Sequence, residues 1–326
     1  MPADAPVPAD APVTVDAPVP ADASVPSQRA RALLRDAYDT HIHVAPDVVE
    51  RIVDDLTLAR RFRDLGMAGF VLKSHYGCTA ERAAVVRAAV PGVDALGAIT
   101  LNRAVGGINP LAVEVAAREG ARIVWMPTVD SVNESHERDA PAGTRVPVWV
   151  ALQRDLREQG IEIDPVPVVD PQGRVLPEVR TVLELIARHQ LVLATGHLNR
   201  DEIMAIVEAA IEADVKRIVI THPEFPAQSL SVADQRHLAS RGALLERCMT
   251  TPHTGKISWE SWLDHIRAVG PEHSVISTDL GQIFNPPVED GMAIVVDRLL
   301  AAGFTEQEVR TMAVINSRRV AGADPW

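Results

Sequence analysis

Only two cysteines, Cys78 and Cys248, occur among the 326 residues, and they stand far apart without C-x-x-C spacing. That excludes a disulfide framework and a thiolate zinc knuckle, and it fits a reducing cytoplasm. Nowhere does an uninterrupted apolar run approach the ~18 residues of a membrane-spanning helix. The first residues lack both the basic start and the apolar centre of a secretory signal, so a soluble cytoplasmic protein is expected. Bases are in deficit: 32 Lys and Arg against 44 Asp and Glu give a formal net charge of -12. Neutralising phosphates therefore cannot drive binding here, which disfavours nucleic acid as a partner. A small molecule is the expected partner; a homo-oligomer is left open by the sequence.

Residues 1–27 contain no base and repeat Pro-Ala-Asp-Ala-Pro-Val with small variations at 2–7, 8–13 and 20–25. Such a segment offers little to bury and too many prolines for a helix, so it is expected to be a disordered tail. The remainder, 28–326, is expected to be one large domain. Hydrophobic residues make up 47% of the chain, ample for a sizeable core.

From Ser27 onward, short β-branched runs alternate with longer amphipathic stretches. The runs fall at 37–43, 69–75, 95–101, 122–126, 191–197, 217–222, 243–249 and 274–279. Helical periodicity marks 49–65, 80–89, 110–118, 201–212 and 259–268 between them. Eight strand-helix units predict an α/β fold of the (β/α)8 TIM-barrel type. One insertion, about 129–177, separates strands 4 and 5; it carries a polar loop, a helix from Pro147 and a turn at 168–175 that reads as a small hairpin. A doubly wound open sheet would need a glycine-rich phosphate turn after the first strand, and Val44-Ala45-Pro46-Asp47 is not one.

Barrel enzymes build their sites at the C-terminal ends of strands. Here strand 1 ends in His41 and His43, strand 2 in Lys73 and His75, strand 5 in His197, strand 6 in His222 and strand 8 in Asp279. Alternate side chains of a strand share a face, so His41 and His43 project together and can grip one ion. A single histidine is more often a satisfied structural residue, but four of eight strand ends carrying histidine point to a metal site. Lys73 lies inside an otherwise apolar run with the same parity as Val71 and His75, where a lone ammonium would be costly. Glu246, in Leu244-Leu245-Glu246-Arg247-Cys248, is a second acid in an apolar strand and is read as a partner orienting a histidine. In the following loops, His75 is a ligand or a substrate contact and Tyr76 a donor to developing charge. Arg103 could hold a substrate carboxylate. His136 and His253 are expected at the surface.

The set His41-Ile42-His43, His197 in Ala-Thr-Gly-His, His222 in Ile-Thr-His-Pro and Asp279 in Ser-Thr-Asp resembles the amidohydrolase superfamily, the metal-dependent hydrolases that include phosphotriesterase, dihydroorotase and deaminases. The chain is also similar to an uncharacterised bacterial branch of that superfamily, so no substrate comes with the likeness. The resemblance implies one or two divalent ions, zinc first and manganese or iron after it, among His41, His43, His197, His222 and Asp279. Asp279 would also take a proton from the attacking water. Binuclear relatives bridge their ions with a carboxylated lysine, usually from strand 4; here strand 4 has none, and Lys73 on strand 2 is the candidate, as a carboxylated bridge or as an ammonium paired with an acid. The expected activity is hydrolysis of a small amide, ester, lactone or related carbonyl bond by an activated water. Deamination or decarboxylation by a mononuclear member, and a metal-holding binding protein without turnover, stand as alternatives.

Overall fold

The computed structural model describes residues 25–135 and 147–326. Most of the expected tail, and His136, lie outside the described residues. Eight strands follow one another in a single parallel sheet: β1 (Tyr38–Ile42), β2 (Gly69–Leu72), β3 (Asp94–Thr100), β4 (Ala121–Trp125), β5 (Val192–Ala194), β6 (Ile218–Ile220), β7 (Leu244–Cys248) and β8 (Ser274–Ser277). The sheet closes just beyond β8, where Leu280 bridges Ile42 and the Asp279 amide donates to the His41 carbonyl at 2.7 Å. This is the (β/α)8 barrel.

The barrel follows from alternation. Val71, Ala98, Ile123, Trp125, Val192, Ala194, Val219, Leu244 and Val275 form one buried cluster inside the barrel. Their sequence neighbours Phe70, Leu72, Ile99, Val124, Leu193, Ile218, Ile220, Leu245 and Ile276 belong to the two clusters packed against the helices. Continuing the inward parity toward the C-terminal rim reaches Lys73 and His75 past β2, Glu246 and Cys248 on β7, and Asp279 past β8.

On β1 the parity changes. Asp39 pairs with Phe70 but Ile42 with Leu72, so β1 carries one extra residue between them. A bulge of this kind re-aims the side chains beyond it. Tyr38 joins the inward cluster at the bottom of the barrel, while His41 and His43 face inward at the top.

Between β4 and the helix Pro177–Arg188 runs a segment with the short turn Val132–Glu134, the helix Val148–Glu158 and an antiparallel bridge between Val169 and Val175. Among the described residues, no helix is long and apolar enough to cross a membrane.

Candidate metal centre

His41 sits at the middle of the site, fully buried. Its Nε2 lies 3.2 Å from Asp279 Oδ1, and the same oxygen lies 3.2 Å from His43 Nε2. The donor atoms of His41, His43 and Asp279 are all within 4.8 Å of one another, as are those of His41, Glu246 and Cys248. His222 stacks toward His41 with ring centroids 6.2 Å apart, and His197 follows at 5.0 Å from His222. His75 is stacked on His43 at 4.9 Å. Lys73 Nζ reaches His41 Nε2 at 2.9 Å and lies 5.2 Å from the centre of the Trp125 ring on β4. The structure thus brings together His41, His43, Lys73, His75, His197, His222, Glu246 and Asp279.

Local backbone makes this convergence achievable. His222 has φ +26° and Asp279 φ +54°, left-handed conformations that turn each side chain over the barrel mouth directly after its strand. Gly281, at φ +135°, lies so close to β1 that a Cβ would sit 1.6 Å from the His43 carbonyl oxygen. Gly196, at φ +62°, meets the Met126 carbonyl oxygen in the same way, at 2.4 Å, immediately before His197. Only glycine permits either approach. Asp39 ties the seam from beneath: its Oδ1 accepts from the Thr278 amide at 3.0 Å and its Oδ2 from the Thr278 hydroxyl at 2.6 Å.

The outer nitrogens of the rings decide what the inner ones can do. His41 Nδ1 is 3.1 Å from Glu246 Oε2, His197 Nδ1 2.8 Å from Glu134 Oε1, and His222 Nδ1 3.1 Å from Gln228 Oε1. At His41 and His222 the oxygen acceptor at Nδ1 places the ring proton there and leaves the Nε2 lone pair facing inward, the arrangement that metal-ligating histidines show, whereas the approach of Glu134 to His197 is close without hydrogen-bond geometry. His75 Nδ1 is 2.8 Å from Thr128 Oγ1, which also accepts from Asn102 Nδ2 at 2.7 Å. Thr250 Oγ1 donates to Asp279 Oδ2 at 3.0 Å.

Electrostatics favour neutral imidazoles beside an ionised carboxylate. Burial, and then the positive charge of Arg51, hold His43 well below the ordinary histidine value. Burial, and then Lys73, hold His75 and His197 well below it too; burial and His197 push His222 down to about 3. His41 is the exception, raised to about 8: burial and Lys73 oppose its charge, but Asp279 and Glu246 outweigh them. Burial works against the Asp279 carboxylate, yet His41 and His43 hold it well below the usual range. Burial lowers Lys73 toward its neutral amine. A set of neutral ring nitrogens with carboxylate oxygens is the donor chemistry a divalent ion of the zinc type requires, and the residues fit such an ion.

Above this floor is a cavity of about 370 Å³, lined by His43, Lys73, His75, His197, His222 and Asp279 below and by Trp149, Phe225 and Phe284 at its walls. Tyr76 also lines it, its buried hydroxyl without a hydrogen-bond partner among the described residues. Arg103 does not join them. Its guanidinium donates to the carbonyls of Asp164 and Pro165 at 2.8 and 2.7 Å, so the residue expected to hold a substrate instead ties the loop after β3 to the inserted segment. Glu134, Gln228 and Arg51 were not singled out from the sequence. Ser131-x-x-Glu134 has the spacing of a helix cap, with Ser131 Oγ accepting from the Glu134 amide, and Gln228 and Arg51 stand in polar loops whose composition does not distinguish a site contact from a solvated side chain.

A family model described as a family of unknown function, DUF6282, matches residues 36–246. No curated protein sequence matches the chain. Among solved structures, the chain is similar to an amidohydrolase from Pseudomonas aeruginosa, 14% identical with a TM-score of 0.57 over 90% of this chain and 98% of that one. It is similar to the metallopeptidase dipeptidase AC at 13% identity and TM-score 0.54, over 88% and 98% of the two chains. A point variant of the organophosphorus hydrolase from Deinococcus radiodurans aligns at 16% identity and TM-score 0.51, over 89% and 94%. At these identities the likeness establishes a shared barrel fold, the one the amidohydrolase resemblance implied.

Proposed function

The chain belongs to the DUF6282 family, which brings no activity with it, and from its own site we propose that it is a metal-dependent hydrolase that cleaves a small amide, ester, lactone or related carbonyl bond in the cytoplasm. The observation that carries this reading is the pairing of two inward-facing histidines, His41 and His222, with outer acceptors, while Asp279 Oδ1 stands 3.2 Å from two ring nitrogens. A site built only to stack neutral rings needs neither the acceptors nor the acid. The hydrolase names of the solved structures with the same barrel support it.

His41, His43, His197, His222 and Asp279 would hold one or two divalent ions, zinc fitting this donor set best. When bound, such an ion supplies Lewis acidity and makes water acidic enough to attack at neutral pH. Asp279, ionised and held by Thr250, accepts the proton of the attacking water and passes it to the leaving group. Tyr76, with an uncommitted hydroxyl, donates to the oxygen on which charge develops. Glu246 and Gln228 fix the tautomers of His41 and His222. Lys73, whose pKa burial lowers, is the group that carboxylation would convert into an anionic bridge; Trp125 fills the neighbouring end of β4.

Metal analysis of the purified protein tests this. About two equivalents of zinc, manganese or iron per chain, with one lost in Lys73→Ala and recovered with bicarbonate and a short carboxylic acid, is the expected result, together with turnover of at least one member of a panel of lactones, cyclic amides and acylated amino acids. One equivalent indifferent to Lys73 removes the bridge. Protein that retains no ion, or a loaded protein inert across the panel, removes the hydrolase.

A further inference from the structure

Two cations lining the cavity, Arg51 and the exposed Lys256, have no place in the chemistry above, and Arg51 is the buried one. Arg51 comes from the loop after β1, lines the cavity, and has a side chain only 6% exposed. Its Nε and Nη2 both bind Asp47 Oδ2, at 2.7 and 2.6 Å, and Asp47 is itself only 4% exposed. Nη1 makes no hydrogen bond among the described residues. The loop that presents it is strapped down: Arg82 donates to the carbonyls of Val44, Ala45 and Pro46, and the Ile52 amide bonds the Gly281 carbonyl. Burying a guanidinium is costly, and a salt bridge through one carboxylate oxygen leaves part of its donor fork unsatisfied. Arg51 lines the same cavity as His43, Lys73, His75 and Tyr76. The cavity lining also includes the aromatic side chains of Trp149, Phe225 and Phe284.

We infer that Arg51, with the Tyr76 hydroxyl, anchors a carboxylate on the substrate, so that the substrate class is a small carboxylic acid whose apolar remainder lies against the aromatic walls. Planar guanidinium matches carboxylate geometry, and Asp47 fixes the orientation of the fork in advance. A rigid loop holds the anchor so that binding costs little ordering. That the bound acid is a substrate rests on the hydrolase reading, but the test of the anchor does not depend on turnover.

The test is calorimetric titration of the metal-loaded full chain with phenylacetate and with phenylacetamide, probes that differ in charge and share the ring. The wild-type protein is expected to bind phenylacetate about 10- to 100-fold more tightly, the worth of one charge-assisted hydrogen-bonded contact. In Arg51→Gln that preference should fall below about threefold, with phenylacetamide unchanged. Because Arg51→Gln leaves Asp47 buried without its partner, Asp47→Asn combined with Arg51→Gln provides a second variant with neither charge, and the same loss is expected. Equal affinity of the two probes for the wild type overturns the inference, as does a preference that survives in either folded variant, since the carboxylate would then be held by the ions. A protein that binds phenylacetate through Arg51 but hydrolyses nothing would keep the anchor and lose the hydrolase; one that hydrolyses neutral and carboxylated esters equally would do the reverse.

Discussion

Replacing Gly281 by alanine tests whether the closeness of β1 to the loop after β8 holds the site together. The added Cβ would stand 1.6 Å from the His43 carbonyl oxygen and 2.6 Å from its carbon. Both are backbone atoms, so no side chain can swing aside, and relief requires the two segments to part by more than an ångström. Parting them strains or breaks two bonds that flank the contact, His43 amide to Leu280 carbonyl at 2.8 Å and Ile52 amide to Gly281 carbonyl at 2.9 Å. At about 1 kcal/mol each, with roughly 1–3 kcal/mol for an alanine at φ +135°, the cost is about 3–5 kcal/mol. At roughly 2 °C per kcal/mol in a chain of this size, the melting temperature should fall by about 6–10 °C. Gly120→Ala serves as control, because Gly120 has φ +95° but no atom within 4 Å of the new methyl, so only the conformational part of the cost remains. Differential scanning calorimetry of both variants, with metal content measured alongside, reads the difference. Should Gly281→Ala melt no lower than Gly120→Ala, the argument from close approach is wrong.

Removing the acceptor of His41 should weaken ion binding without unfolding the chain: Glu246→Met is expected to lower metal affinity about 10- to 100-fold in competition with a chelator, and an unchanged affinity would show that Glu246 does not set the tautomer. Arg247 and Glu224 form a buried ion pair outside the barrel, with Arg247 also bonded to Gln235 at 2.7 Å. Arg247→Met alone should cost about 3–5 kcal/mol in denaturant unfolding by stranding Glu224, whereas Arg247→Met with Glu224→Leu should recover most of it. Equal losses in the two proteins would refute that reading.

Much of the barrel was legible because alternation is a strong signal where both faces of a strand are buried: the parity that put Val71 inward also put Lys73 there, and Lys73 Nζ meets His41. The residues brought to the mouth were legible for the same reason, since histidines that repeatedly close apolar runs call for a polar site at the rim. The extra residue on β1 was not, because a bulge depends on the partner strand and leaves no mark in composition. Arg103 and Arg51 show the other boundary. Each is an arginine in a loop after a strand; one turns to carbonyls of the inserted segment and the other to the cavity, a choice made by Asp47 and by the carbonyls of Asp164 and Pro165, which lie far from Arg103 in sequence.

The bonds that seal the cylinder are made by the residues that form its mouth: the Asp279 amide to the His41 carbonyl, and the His43 amide to the Leu280 carbonyl. First and last staves are therefore fastened at the very place where a cation would sit. If an ion binds there, occupancy and zippering of the first and last staves would become one thermodynamic event, and the ion would act as a rivet whose grip grows with its concentration over its dissociation constant. Stripping it would loosen the hoop at the junction of its earliest and latest segments, while the opposite side, β3 to β6, kept its pairing.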